Sequence, residues 1–339
     1  AVVLGQRNAE WCGHGPALEE DIALANVSLD LIGQARMLYQ QAAIELGGDA
    51  TEDRLAYFRD VPEFRNYTLL ELPHHSALVG YAKSDLDYGT TIVRNFLYSA
   101  LMVLVWEQLQ QSKDEQLAAI AAKSLKEVRY HLRHSRDWLV RLGDGTDDSH
   151  ARVQAALDHL MPYTQEFWTG SSMEAAAVAA GVGVDVAALK SDWDQLVDDA
   201  LLEATLQRPK GEGYVTQGKN GLHSEHLGFL LSEMQGLARS HPTATTSQME
   251  LGDLVGMLTF REVIQALVKN GGSVGTMLVR SAMDDAPLTC TLETDMDEVR
   301  RMMLDRHARY MPVMDRRMLM GVISFYDVAK AVVDSQNFE

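Results

Sequence analysis

Residues 10–36 read EWCGHGPALEEDIALANVSLDLIGQAR. Leu18, Ile22, Ala25, Leu29 and Ile32 recur there at steps of three and four, and Leu24, Val27, Leu31, Ala35 and Leu38 form a second stripe beside them. An apolar side chain at each helical turn places a stripe on one face, and two stripes on one helix predict burial on more than one side, as in a bundle. A second stretch, KEVRYHLRHSRDWLVRLGDGTD at 126–147, extends a helix predicted over 115–142 through Leu117, Ala121, Val128, Leu132 and Leu139. The GDGTDD turn at 143–148 stops that helix and offers aspartate caps for the next. Helices are also expected at 90–111, 151–168, 186–206 and 224–240.

The helical texture runs over 1–241 and then changes. PTATTSQ, within 242–249, is a short polar linker carrying a proline. Beyond it, β-branched runs at 254–258, 310–314 and 319–323 alternate with helices expected at 295–306 and 325–333, the pattern of a small α/β unit. The fold class expected is mainly α: a ferritin-like four-helix bundle with extra helices, followed by a small C-terminal α/β domain.

The formal charge of -18 falls as about -14 before residue 250 and about -4 from there on. Phosphate binding requires a basic footprint, so this balance argues against nucleic acid as a partner. Cys12 and Cys290 lie in different units and predict no disulfide, which fits a reducing cytoplasm. The most apolar run, FLYSALMVLVW at 96–106, falls short of the ~20 residues of a bilayer span and predicts a buried core helix. No signal peptide is visible, and the chain opens at Ala1 inside a helical pattern, as a trimmed N-terminus would.

A ferritin-like di-iron site takes a Glu from each of two helices and Glu-x-x-His from each of two others, because residues i and i+3 share a face. The sole Glu-x-x-His here is Glu71-Leu72-Pro73-His74, and Pro73 excludes a helix interior, so the match reads as a loop coincidence. Val128 stands three residues before His131, with Glu127 four before it, and Leu31 and Gln34 form the corresponding pair in the first long helix. No metal is expected in the bundle, and His131 reads as a hydrogen-bonded core histidine.

Gly213 to Asn220, GYVTQGKN, approaches the phosphate loop G-x-x-x-x-G-K-[ST]. Asn220 replaces the magnesium-holding hydroxyl and no strand precedes it, so a glycine-rich turn into the next helix is expected. His223-Ser224-Glu225-His226 reads as a helix start capped by Ser224. Lys123, Lys126, Arg129, Arg133 and Arg136 decorate one helix, as a partner contact or a solvated face more than as a site for an anion such as coenzyme A. No nucleophile motif occurs, and no catalytic residue is expected.

The stretches at 10–36 and 126–147, with GLHSEHLGFLLSEMQGL at 221–237, resemble the C subunits of the ring-1,2-phenylacetyl-CoA epoxidase, a multicomponent bacterial monooxygenase of phenylacetate degradation. The likeness runs from Ala1 to about Pro242. It implies a ferritin-like structural subunit without a working metal site, hence no cofactor in this chain, paired with a homologous catalytic subunit that holds the di-iron centre. Further small and reductase subunits are implied as well. SAMDDAPLTCTLETDMDEVRRMMLDRHARYMPVMDRRMLMGVISFYDVAKAVV, within 271–339, is similar to a cystathionine β-synthase (CBS) repeat, and GDLVGMLTFREVIQALV, within 250–270, to the end of a preceding one. Such repeats bind adenine nucleotides in pairs through G-x-x-[ST]-x-x-D. Gly321, Ser324 and Asp327 fit that signature, which makes Ser324 and Asp327 the candidate nucleotide-binding residues. Gly256 and Thr259 fit it in the partial repeat, where Glu262 replaces the aspartate. About half a repeat is missing at the join, so no complete pair is expected within one chain, and homodimer contacts through this portion would be needed to complete a site. Two rival functions remain: an adenine-nucleotide sensor working through the CBS portion, and an autonomous di-iron oxidase with unusual ligands.

Overall fold

The computed structural model describes residues 1–75, 86–240, 283–306, 310–315 and 318–324, with positions 269, 281, 308 and 328. Two compact units divide the chain, Ala1–His241 and Pro242–Glu339. The strand and half-repeat expected at 250–270, including Gly256, Thr259 and Glu262, lie outside the described residues apart from Lys269, as do the linker at 242–249 and, apart from Val328, the helix expected at 325–333.

The first unit is helical: α1 (Val2–Ala9), α2 (Leu18–Leu46), α3 (Glu52–Tyr57), α4 (Tyr88–Leu109), α5 (Glu115–Gly143), α6 (Asp147–Leu160), α7 (Ser172–Ala180), α8 (Lys190–Glu203) and α9 (Glu225–Ser240). Helix α4 packs on α5, α6 and α8, and α2 packs on α1 and α5. This is the ferritin-like arrangement expected from the sequence, with extra helices around it. Carboxylates start the two central helices: Asp87 accepts from the Gly89 amide and Asp114 from those of Gln116 and Leu117. Gly47, with φ +65°, ends α2 in a conformation that a Cβ would strain.

Helix α4 forms the apolar axis of the unit. Ile92, Val93, Phe96, Leu97, Ala100 and Leu101 are all at or below 1% exposure and meet Leu139, Leu157, Leu160, Trp193 and Val197 from its neighbours. By length and composition it could cross a bilayer, yet most of it is enclosed by protein, as a core helix is.

Several expectations are corrected. The stripe Leu24, Val27, Leu31 and Ala35 is buried, but Leu18, Ile22 and Leu29 are 72%, 50% and 65% exposed and Ile32 is 37% exposed. Periodicity places residues on a face without saying whether a neighbour covers it, and among the described residues that face is left largely open. The helices expected at 151–168 and 186–206 each break into an α segment and a 3-10 segment: Met161–Trp168 follows α6, around Pro162, and Val186–Leu189 precedes α8. Helix α6 is capped by Thr146, whose hydroxyl accepts from the Ser149 amide, and not by the aspartates of the turn. Helix α7, unforeseen, starts on a Ser171–Glu174 capping box and ends on Gly181 in the left-handed region.

In the second unit, β1 (Cys290–Thr291) runs parallel to β2 (Tyr310–Asp315), with α10 (Met296–Asp305) between them in sequence. Strand β3 (Met318–Ser324) pairs antiparallel with β2. Cys290, Val299, Met303, Met311, Val313 and Val328 form its core. The small α/β domain is thus as expected. Cys12 and Cys290 are both free thiols.

Candidate functional site

The bundle centre of a ferritin-like protein is where metal chemistry would reside, and here it falls along the seam between α2 and α5. On α5, residues 127, 131 and 134 stand one helical turn apart and present one face. Gln34 donates to Glu127 at 2.9 Å, the His131 Nε2–H to Asp30 at 2.9 Å, and His134 Nε2 lies 2.9 Å from Glu20, which also accepts from the Tyr88 hydroxyl at 2.5 Å. Leu31 and Val128, each 2% exposed, occupy the positions where the ligand pattern calls for acids. His131 is the buried, hydrogen-bonded core histidine expected. Each carboxylate in this seam is bonded to amide, imidazole or hydroxyl groups of its own, so the acids do not converge on a point. Among the described residues no group of three or more His, Cys, Asp or Glu side chains could hold a metal ion. The donor set does not fit a di-iron centre.

The densest polar structure lies elsewhere, around the segment that sequence reasoning set aside. Glu71 is fully buried. It receives four hydrogen bonds, from Asn66 Nδ2 (3.0 Å), His223 Nδ1 (2.5 Å), the Ser224 amide (2.9 Å) and the Ser224 hydroxyl (2.7 Å). Its own carbonyl accepts both Nε and Nη2 of Arg7, at 3.1 and 2.6 Å. The side chain of His74 is fully buried too. Its Nδ1 meets the Arg94 guanidinium at 2.7 Å and the Trp11 indole N–H at 3.2 Å, while Nε2 lies 2.6 Å from the Arg7 carbonyl. Guanidinium and indole only donate, so Nδ1 accepts and the ring proton sits on Nε2. Burial, then the Arg94 charge, pushes the His74 pKa well down, in keeping with that neutral tautomer. Arg94 also donates to the carbonyls of Leu72 and Pro73. Burial and the neighbouring Arg7 lower its pKa to about 9. Glu10, held by Arg7 at 2.6 Å, has its pKa raised by burial.

This knot ties α1, the 66–74 segment, α4 and the start of α9 together. Glu71-Leu-Pro-His74 is indeed non-helical, but it is the centre of a structural network and not an idle loop. Ser224 stands immediately before α9, as expected of a helix start, and also donates its hydroxyl proton to Glu71. A signal was available in the sequence: Arg94 stands inside the apolar run of α4, where a buried charge must find acceptors.

The phosphate-loop likeness dissolves in the structure. Gly218–Asn220 is a 3-10 turn; the Lys219 amide donates to buried Glu166, and its ammonium lies 2.9 and 3.0 Å from the two oxygens of Glu174. Of the basic residues on α5, Lys123, Lys126 and Arg133 are exposed, Arg129 pairs with Glu107 and Arg136 with Glu203. In the second unit Ser324 is half-buried at the end of β3, while Asp327 lies outside the described residues.

Known proteins resemble both parts of the chain. Residues 1–245 fit the family described as phenylacetic acid catabolic protein, and residues 279–334 fit the CBS domain. Over 241 residues the chain is 45% identical to the C subunit of the 1,2-phenylacetyl-CoA epoxidase of Escherichia coli (strain K12), a match that covers 71% of this chain and 92% of that relative. Such kinship assigns the chain a role in phenylacetate catabolism, with other subunits as partners. The chain belongs to the phenylacetic acid catabolic protein family and carries a CBS domain behind the family's helical bundle.

Proposed function

We propose that the bundle is the non-catalytic, scaffolding member of a phenylacetyl-CoA epoxidase and pairs with a homologous subunit that holds the di-iron centre. The observation that carries this reading is the α2–α5 seam, where Leu31 and Val128 are buried and the acids at 20, 30 and 127 are each bonded to a partner. A bundle that keeps its packing without a ligand set contributes surface to an assembly. The exposed aliphatic stripe of α2 supplies surface of that kind. The chemistry so supported is oxygen insertion into an aromatic ring on the partner, with electrons from a separate reductase. Metal analysis after aerobic iron loading tests the absence of a centre: chelator-removable, substoichiometric iron is expected, and two tightly bound irons per chain would sink the reading in favour of an autonomous oxidase. Co-expression with the homologous catalytic subunit tests the pairing, which is expected to survive size-exclusion chromatography at micromolar concentration.

For the CBS portion the proposed nucleotide contacts are Ser324 and Asp327. Ser324 ends β3, so its hydroxyl stands at a strand terminus, where loops and ligands meet a sheet. One repeat supplies half a cleft, so weak adenine-nucleotide binding, or none, is expected of a monomer. Calorimetry with AMP and ATP at low and high protein concentration checks this. Low-micromolar binding by a monomer, abolished by Asp327→Ala, would overturn it.

A further inference from the structure

Helix α7 contributes no buried residue. It is held instead at its two ends. Near its start, Glu174 closes the capping box and grips Lys219; beyond its end, the Lys113 amide donates to the Gly181 carbonyl at 3.0 Å. Between those anchors lies a hollow of about 330 Å³, with Phe167 and Trp168 on one side and Ala175, Val178 and Ala179 of α7 on the other. Ala175, Val178 and Ala179 are themselves exposed, so the hollow is open on one side, and small side chains facing large rings leave it unfilled. The aromatic wall is itself fixed, since Phe167, Trp168 and Trp193 meet edge to face with centroids 5.2 to 6.0 Å apart.

We infer that the hollow under α7 is a binding site for a small uncharged aromatic molecule of one substituted ring. Size supports one ring, because this open-sided hollow stands at the small end of ligand sites, which begin at roughly 300 Å³. The charges select against anions. The charged groups lining the hollow are Glu174, Asp185 and Lys219. Lys219 is neutralised by both oxygens of Glu174 and lies over the Tyr67 ring, 5.6 Å from its centroid. Asp185 is left as the surplus charge and repels a carboxylate. This site is separate from the α2–α5 seam and stands whether or not the scaffold reading does.

Toluene and benzoate are the probes. With the full chain, toluene is expected to bind saturably in the millimolar range or tighter, by ligand-observed NMR, and benzoate at least tenfold more weakly. Ala179→Phe fills the hollow and is expected to reduce toluene affinity at least tenfold. Should that variant misfold by circular dichroism, Ala175→Met serves the same purpose. Amide exchange of the unaltered protein is the control without a substitution: toluene is expected to slow exchange within 172–187. No saturable binding up to the solubility of toluene, undiminished binding by a folded filled variant, or protection of another segment would overturn the site. Benzoate binding as tightly as toluene would overturn the ligand class.

Discussion

The α2–α5 seam and the knot around Glu71 contain the same residue types, yet their construction differs. In the seam, each carboxylate meets an imidazole or amide on the facing helix, Glu20 also the Tyr88 hydroxyl, and sites such as Asp30 keep about a third of their side-chain exposure. In the knot, Glu71 and His74 are wholly enclosed and multiply bonded, and backbone carbonyls absorb both buried arginines. Solvent still shares the load in the seam, so losing one partner there is tolerable. Nothing replaces a missing partner in the knot, because a buried unpaired charge bears the full desolvation cost.

That contrast is breakable, and the largest effect should come from the knot. Glu71→Ala strands His223, Ser224 and Asn66, and a loss of about 3–5 kcal/mol is expected in urea unfolding. His134→Ala in the seam leaves Glu20 bonded to Tyr88 and is expected to lose only about 1 kcal/mol. Equal losses from the two substitutions would erase the distinction.

The pH dependence sharpens it further. Burial alone would lower the His223 pKa, but the Glu71 hydrogen bond and charge outweigh burial and raise it. The stabilisation from this pair is therefore complete below the ordinary imidazole pKa and is lost as pH rises through the raised value. His74 has the opposite sign: its pKa is depressed, so its contribution is complete above the ordinary value and is lost as pH falls. His223→Gln is expected to flatten the decline in Tm on the alkaline side and leave the acid side unchanged. Superimposable profiles on the alkaline side would show that the pair does not govern it.

The smallest effect is expected from the outer stripe of α2. Leu29→Ser, at a position 65% exposed, should change the stability of the isolated chain by no more than about 0.5 kcal/mol. Leu24→Ala, on the buried stripe of the same helix, should cost about 2–5 kcal/mol. Comparable losses in the isolated chain would mean that the outer stripe is covered after all.

Much of the fold was legible because helix periodicity is local: α4, α5 and α9 begin and end within two residues of the expected bounds, while α2 starts with its stripe at Leu18 and runs on past Leu38 to Leu46. Local chemistry is legible in the same way, since Val128 and Leu31 carry no side-chain atom that could ligate iron. The break at Met161 and the small helix α7 leave no mark in apolar periodicity, because the one is set by Pro162 and the other by its Ser171–Glu174 box and Gly181. His223 and Ser224 mark the start of α9, as read, but their bonds to Glu71 were not legible. Their partner Glu71 is about 150 residues away, and no spacing rule reaches that far.

By itself the sequence determined the two textures of the chain, the helical bundle with its family, the CBS repeat, and the lack of a ligand pattern for iron. These follow from residue type and short-range spacing, which fix what each side chain can bond and which face it occupies. Tertiary structure alone decided which of the two α2 stripes is covered, where Arg94 and Glu71 find their partners, and that a hollow remains beneath α7. Each of these depends on the distance between segments remote in sequence, and on the difference between the volume enclosed and the side chains available to fill it.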